Sequence, residues 1–545
     1  MANTLKFGNG EWYGKKDTIL AYNDENSNYK PLPFDFSRAS SATVINKDGL
    51  IETVDSGQPR IDYKDDSKGA LKLEPSRTNL ITYSEDFPRN YWTKSGASIQ
   101  GDPSTAGSEE VTNGSFDTDS DWAKLNGSTI SGGIATVVAG GNIEAGSGSW
   151  SLNQSVFQQN KTYQVTFKAR QVSGRGKFQA GRDYYFFIDK VITSSFVEYS
   201  FTINSESINW NSNLTFGGRT SGDVFEIDNV SVKEVQGFTS PDGTTNAYKL
   251  VEGTNNGGHT AYKLNASISS GINYTYSVFV KGTERVLQMV LSSGFSSNFC
   301  NFDLSDGTIG SNNGLVDSNI TSFSNGWYRC DITALSSGTS ANLELILAES
   351  KSSSRYTTYQ GNGTSSIYIY GAQFEAGSYS TSLINTQGSA VTRLADVCNN
   401  SGNDQVINST EGVLYLEMSA LGNDGTFRYI SLINDASNFV QIYYKDDSNR
   451  ISAIVKSSGS TQFFANHNLS DATNFIKVAI KYKQNDFALW VDGVEVATDT
   501  SGNTPSDLSE LDFDFLGGNK FSGNVRDVKV YNTALTDSEL QALTS

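Results

Sequence analysis

The chain has 545 residues, 37% of them hydrophobic, 12% aromatic and only 18% charged, with 41 Lys+Arg against 59 Asp+Glu for a formal net charge of −18. At ~150 residues per domain this length predicts three or four domains, the 26 Tyr and 30 Phe exclude a disordered chain, and the 51 Gly show no period of three, which excludes collagen. The acidic balance argues against nucleic acid or an anionic membrane as a partner.

The start, Met1 to Lys16, lacks the apolar stretch of a signal peptide, and no run of 18 apolar residues follows. Synthesis in a cytoplasm, with no membrane insertion, is the expectation. Residues 1–79 carry Pro31-Leu-Pro-Phe and the strand-like Gly49-Leu-Ile-Glu-Thr-Val. They are too short and loop-rich for a large core of their own, so they are predicted to stand apart and dock onto something else.

From residue 80 onward, short runs alternate large apolar with polar residues between Gly, Asn, Asp and Ser. They include Tyr163-Gln-Val-Thr-Phe-Lys-Ala, Tyr274-Thr-Tyr-Ser-Val-Phe-Val and Phe475-Ile-Lys-Val-Ala-Ile. This period of two predicts strands. An internal repeat organises them. Ser84-Glu-Asp-Phe-Pro-Arg-Asn-Tyr-Trp-Thr-Lys and Gly114-Ser-Phe-Asp-Thr-Asp-Ser-Asp-Trp-Ala-Lys each place Phe, Trp and Lys ahead of a Gly-containing turn and a strand. The second copy continues unbroken to Val224-Phe-Glu-Ile-Asp-Asn-Val-Ser-Val-Lys-Glu, whereas the first resumes only at Phe238 and closes at Ile367-Tyr-Ile-Tyr-Gly-Ala-Gln-Phe-Glu. The spacing predicts one sandwich, 103–236, inserted into a loop of another, 80–102 plus 237–397. A last unit, 398–545, holds hairpins turning at Asp446-Asp-Ser-Asn and at Asp492-Gly493. Thr536 with Glu539 three residues on forms a capping box for a single terminal helix. The fold class is therefore all-β, several antiparallel jelly-roll sandwiches in tandem with one inserted into another.

Three stretches carry resemblances. Residues 34–83, with Phe34-Asp-Phe-Ser-Arg-Ala-Ser, Pro59-Arg-Ile-Asp-Tyr and Leu73-Glu-Pro-Ser-Arg-Thr-Asn, resemble a segment of tailed-bacteriophage virion proteins. In those proteins it precedes sandwich modules and a closing motif, here Glu375-Ala-Gly-Ser-Tyr-Ser-Thr-Ser followed by Thr392-Arg-Leu-Ala-Asp. The inserted unit resembles carbohydrate-binding jelly rolls of the family 4/9 type through Asn113-Gly-Ser-Phe and Ile227-Asp-Asn-Val-Ser-Val. Residues 412–545 are similar to laminin-G/concanavalin A-like sandwiches through Trp490-Val-Asp-Gly and Phe521-Ser-Gly-Asn-Val-Arg-Asp-Val-Lys-Val-Tyr. Together these imply a structural protein on the particle surface, a head-fibre, decoration or tail-fibre protein, made in the bacterial host's cytoplasm. Residues 1–79 would dock it to other virion proteins, and its modules would project towards host glycans. Such proteins are often homo-oligomers, trimers among them, but no heptad repeat appears here. A carbohydrate-active enzyme and a cell-surface adhesin are the alternatives.

The chemistry of the residues points away from catalysis. His259 and His467 are the only histidines, read as polar turn and loop residues rather than bases, and no HExxH or CxxC spacing occurs. Glu226-Ile-Asp228 begins a paired-carboxylate strand but has Ser231 where a third acid would stand. Cys300, Cys330 and Cys398 read as buried free thiols, and Trp92, Trp122 and Trp327 as core. Sugar stacking is assigned to Tyr184, Tyr185 and Trp210, since a pyranose face packs on an aromatic ring. The resemblance to carbohydrate-binding jelly rolls brings in a structural calcium, with Asp117 and Asp228 as candidate ligands. The run Asp117-Thr-Asp-Ser-Asp121 is not an EF-hand, because Trp122 and Ser128 occupy the positions of its Gly and Glu.

Overall fold

The computed structural model describes residues 5–8, 12–23, 28–141, 150–159, 161–182, 185–205, 212–296, 298–445 and 449–545. The fold is all-β. The one α-helix among the described residues, Asp537–Thr544, starts at Thr536 in the capping box that the sequence predicts.

The inserted sandwich has two five-stranded sheets. One runs Thr129–Ser131, Ile134–Val138, Val224–Glu234, Thr162–Ser173, Val197–Asn204; the other runs Ala123–Lys124, Leu152–Ser155, Asn213–Gly218, Phe178–Arg182, Tyr185–Lys190. The host sandwich repeats both orders. Its first sheet is Ala97–Gln100, Tyr248–Glu252, Ser366–Ala376, Asn273–Lys281, Tyr328–Leu335, and its second is Thr93–Ser95, Thr260–Ser267, Ser340–Ala348, Val286–Ser293, Asn298–Asp303. To these the host adds one strand per sheet, Asp317–Ser322 and Thr308–Asn313. The insertion leaves the host after Gln100 and returns before Tyr248, and its two ends are clasped by Asp102 N–H donating to Gln236 O at 3.0 Å.

The shared anchors are chemical as well as topological. Trp92 and Trp122 are core residues, and each donates its indole N–H to a backbone carbonyl nine residues upstream, Tyr83 O at 3.0 Å and Asn113 O at 3.1 Å. Tyr163 and Tyr274 each accept at the phenol oxygen from an amide five residues upstream, Gln158 and Ser269. The closing strand of each sandwich carries a bulge at one left-handed residue, Asn229 (φ 53°) and Gly371 (φ 59°). Trp327 is core too, as are all three cysteines; burial pushes the Cys300 thiol up to about 12, which keeps it inert.

The C-terminal sandwich corrects the reading of residues 1–79. They do not stand apart. Leu5–Gly8 and Ala70–Leu73 both pair with Gly523–Tyr531, and Ile61–Asp62 extends the same sheet beyond Ala70–Leu73. Asn28–Ser37 pairs with Val397–Asn399. Leu5, Phe7, Phe34, Phe36 and Leu71 are buried in one core with Leu414, Val478, Val528 and Val530. The physical reason is the one that predicted docking, a segment unable to cover its own apolar side chains, but the partner is the far end of the same chain.

Where this body meets the host sandwich lies a fully buried ion cluster. Arg38 Nη1 is 2.9 Å from Asp396 Oδ1, Arg60 Nη1 2.5 Å from Glu74 Oε2, and Arg393 Nη1 2.8 Å from Glu74 Oε2, while Arg60 Nη2 also pairs with Asp396. Ser382 donates to both Glu74 oxygens. Burial alone would raise the Glu74 carboxyl; Arg393 and Arg60 outweigh it and hold it well below the ordinary range. The members come from the segments that resemble virion proteins: Arg38, Arg60 and Glu74 from residues 34–83, Ser382 from the closing motif, Arg393 and Asp396 from the segment after it.

Candidate functional site

The C-terminal sandwich exposes one sheet face that combines rings with amides. Its second sheet runs Ser460–Asn468, Arg450–Ser457, Asn438–Tyr444, Arg428–Asp435, Glu510–Asp512. Cross-strand partners share a face, so the pairings Ile454↔Phe464, Gln441↔Ile454 and Ser431↔Gln441 put these four on the outer side. A second outer row is Tyr429, Tyr443, Ser452 and Asn466. Inner positions such as Ile430, Ile442, Ala453 and Ala465 fill the core.

Two zones divide this face. On one, Phe427 stacks on Tyr429 at 5.6 Å between centroids and on Tyr443 at 6.1 Å, Tyr429 lies 4.9 Å from Tyr443, and Phe515 packs against Tyr429 and Phe439. The loop carrying Phe515 is fastened down by Ser431 Oγ donating to Asp514 O, with Gln441 in turn donating to Ser431. The other zone is open. Phe464 is 48% exposed, and the Lys445 ammonium lies 5.8 Å from its centroid. Asn466 is exposed and accepts from Ser452 Oγ at 2.6 Å, and Arg450 Nε donates to Asn468 at 3.2 Å. An exposed ring beside amides and cations is the arrangement that holds a saccharide, the ring taking the sugar's C–H face and the amides its hydroxyls.

Of the residues assigned to sugar stacking from sequence, Tyr184 and Trp210 lie outside the described residues; the backbone of Tyr185 belongs to Tyr185–Lys190, and its side chain is not described. Asp117 is exposed and accepts from Ser115 Oγ at 2.6 Å, and Asp228 accepts from the Asn229 amide at 2.7 Å. Among the described residues no three or more His, Cys, Asp or Glu side chains form a group that could hold a metal ion. Glu226 is tied to Arg170 at 2.6 Å rather than paired with Asp228.

Two expectations are corrected. His259 is no turn residue: it is buried, its Nδ1 contacts Gly96 O, and its ring packs 4.6 Å from Tyr359. The segment from Phe464 to His467 is no loop but part of the strand Ser460–Asn468. Its signal was the alternation Phe463-Phe464-Ala465-Asn466, one face apolar and one exposed.

Comparison with known proteins bears on this module directly. Residues 414–541 match the family described as the concanavalin A-like lectin/glucanases superfamily. No curated protein matches the chain. Among solved structures it is similar to the CBM40 of the Ruminococcus gnavus IT-sialidase bound to α2,3-sialyllactose, at 15% identity over 27% of this chain and 92% of that one, TM-score 0.23. It is similar to the leech intramolecular trans-sialidase, at 21% identity over 26% of this chain and only 24% of that one, TM-score 0.22. The tandem CBM22-1–CBM22-2 domains of Paenibacillus barcinonensis Xyn10C give 13% identity over 51% of this chain and 100% of that one, TM-score 0.19. At these scores the likenesses carry no functional argument.

Proposed function

We propose that the chain is a non-enzymatic glycan-binding protein displayed on a tailed-phage particle, with the open zone around Phe464 as its sugar platform. The observation that carries the glycan half is the coincidence of the concanavalin A-like lectin/glucanases match at 414–541 with an exposed ring, flanked by Lys445 and Asn466, on that module's sheet face. The virion half rests on the resemblance of residues 34–83 and of Glu375–Ser382, and the convergence of those motifs in one buried cluster supports treating them as a single structural unit. Since Leu5–Gly8 and Ala70–Leu73 pair into the C-terminal sandwich and Ile45 and Ile51 pack on the host sandwich, docking through residues 1–79 means docking through the body they join.

Glycan-array binding by the full chain tests the first half. Phe464→Ala should weaken any positive signal by at least about fivefold, as loss of a central stacking ring does, with the melting curve unchanged because the ring is half exposed. Array binding indifferent to Phe464→Ala would remove the platform. Release of reducing sugar from a polysaccharide, abolished by one Asp or Glu substitution, would overturn the non-enzymatic reading. Electron microscopy of particles labelled with antibody against residues 412–545 tests the second half.

A further inference from the structure

A cleft of about 350 Å³ opens where residues 43–74, the host sandwich and the C-terminal sandwich meet, a volume within the ~300–1,000 Å³ range of small-ligand sites. Most of its charged lining is already paired within the protein. Lys72 pairs with Asp62, Arg526 lies 3.6 Å from Asp66, and Glu74 belongs to the buried arginine cluster. Arg329 and Asp331 are different. They stand two apart on Tyr328–Leu335, on the outer side of its sheet, and are only 8% and 4% exposed. Arg329 donates through Nη1 to Thr381 O and through Nη2 to Ser277 Oγ, but its Nε, fully buried, has no partner. Burial lifts the Asp331 carboxyl to about 6 against the pull of Arg329, so its environment leaves the charge incompletely compensated. Asp331 accepts from the Asn319 and Ser380 side chains, and a carboxylate has about four lone-pair sites, so a buried donor without a partner and a buried carboxylate with a further accepting direction share one wall. Asn319 and Thr321, their cross-strand partners, extend that polar row, and Asn524 and Thr473 line the cleft from the C-terminal sandwich.

We propose that this cleft is a second ligand site, distinct from the Phe464 face, and that it takes one neutral pyranose unit. The chemistry selects the class. A hydroxyl both donates and accepts, so neighbouring ring hydroxyls satisfy Arg329 Nε and the Asp331 carboxylate together. An anion would meet Asp331, Asp65 and Glu74, and a cation would meet Arg329, Lys64 and Arg526. A charged ligand thus forfeits on one side what it gains on the other, whereas a neutral polyol does not. The site also exists only in the complete chain, because its walls come from three parts of the sequence.

The test is saturation-transfer NMR on the full chain with the methyl glycosides of glucose, galactose, mannose and N-acetylglucosamine, each titrated to about 20 mM, a range that captures millimolar affinities. At least one should bind saturably, with little change on raising salt. Binding should persist in Phe464→Ala and fall at least about tenfold in Asp331→Asn and in Arg329→Met. Because Arg329 is buried, Thr473→Trp at the exposed rim serves as the control: it leaves the core intact, is checked by its melting curve, and should block entry. No binding by any of the four glycosides, or binding that Phe464→Ala abolishes and Thr473→Trp leaves intact, would overturn the proposal. Because the two variants act on different sites, failure here is separable from failure of the platform.

Discussion

The inserted and host sandwiches have the same strand order, bulge and tryptophan and tyrosine anchors, yet they treat one sheet face in opposite ways. In the insert the outward row Gln164, Thr166 and Lys168 is half-buried, Glu198 and Ser200 on the neighbouring strand are exposed, and Arg170 makes a surface pair with Glu226. The matching host positions, Thr275, Ser277 and Phe279 with Arg329 and Asp331, are buried. The covering comes from residues 379–384 and from the N-terminal segment, as when Thr43 Oγ1 donates to Leu383 O at 2.7 Å. Inner-face packing thus specifies the fold in both, while the outer face is free to be solvated or roofed over. Roofing a polar face requires that nearly every group find a partner. Thr275 and Thr333 hydroxyls meet at 2.7 Å, and Glu375 accepts from Gln373, from the Thr381 amide and from its hydroxyl. Arg329 Nε is an exception, and it lies where the cleft opens.

The largest expected effect breaks the roof. Glu74→Gln leaves Arg60 and Arg393 underpaired in a dry site and should cost about 3–5 kcal/mol. Calorimetry should show the host and C-terminal transition falling while the insert's transition stays; a common fall of every transition would mean that the two sandwiches are energetically one. The shared anchors come next. Trp92→Phe and Trp122→Phe each orphan a backbone carbonyl and should cost about 1–3 kcal/mol, alike in the two sandwiches. Denaturant titrations giving very unequal costs would show that the anchors are not equivalent.

A smaller effect depends on pH. The folded Asp331 carboxyl, at about 6, lies above its ordinary 3.8, so its contribution is present below about pH 4 and is lost as pH rises through 6. Asp331→Asn should therefore gain stability over the natural chain between pH 5 and 8, by about 3 kcal/mol at most, whereas Ser200→Asp, at the matching exposed position of the insert, should change stability by less than about 0.5 kcal/mol. Equal pH dependence of the two would erase the distinction between roofed and solvated faces. The smallest effect is expected from deleting 103–236 and joining Asp102 to Gly237: the body's transition should move by no more than about 1 kcal/mol, and loss of cooperative melting would sink the nested arrangement.

Much of this architecture was legible in the sequence because it is locally encoded. The Phe–Trp–Lys repeat, the alternating strands, the turn at Asp492-Gly493 (φ 47° and 81°) and the Thr536 cap each occupy a few neighbouring residues. What was missed is non-local. Leu5 pairs with Val530, and Arg38 bonds to Asp396, 358 residues away; no window of sequence contains both partners, so residues 1–79 read as loop-rich and separate. The site was legible only in its class. The ring-rich segments of the insert, with Tyr184 and Trp210, carry the sequence signal for sugar stacking, whereas Phe464 lies in a strand whose Asn-rich composition reads as a loop. Arg329 and Asp331 look like ordinary strand alternation until the roof over them is seen.

The clasp between Asp102 and Gln236 has one more consequence. The inserted sandwich hangs from its host by two chain crossings, closed by the Asp102–Gln236 bond and reinforced by Gly101 N–H to Thr202 Oγ1 at 3.2 Å and Thr245 Oγ1 to Gln236 Oε1 at 2.7 Å. A module strung on a single linker is shed by one proteolytic nick and can swivel about single bonds. This one stays attached after either crossing is cut, shares a pulling load between two strands, and has no single bond about which to spin. Release requires two cuts, so limited proteolysis at one crossing should give fragments that separate only in denaturant.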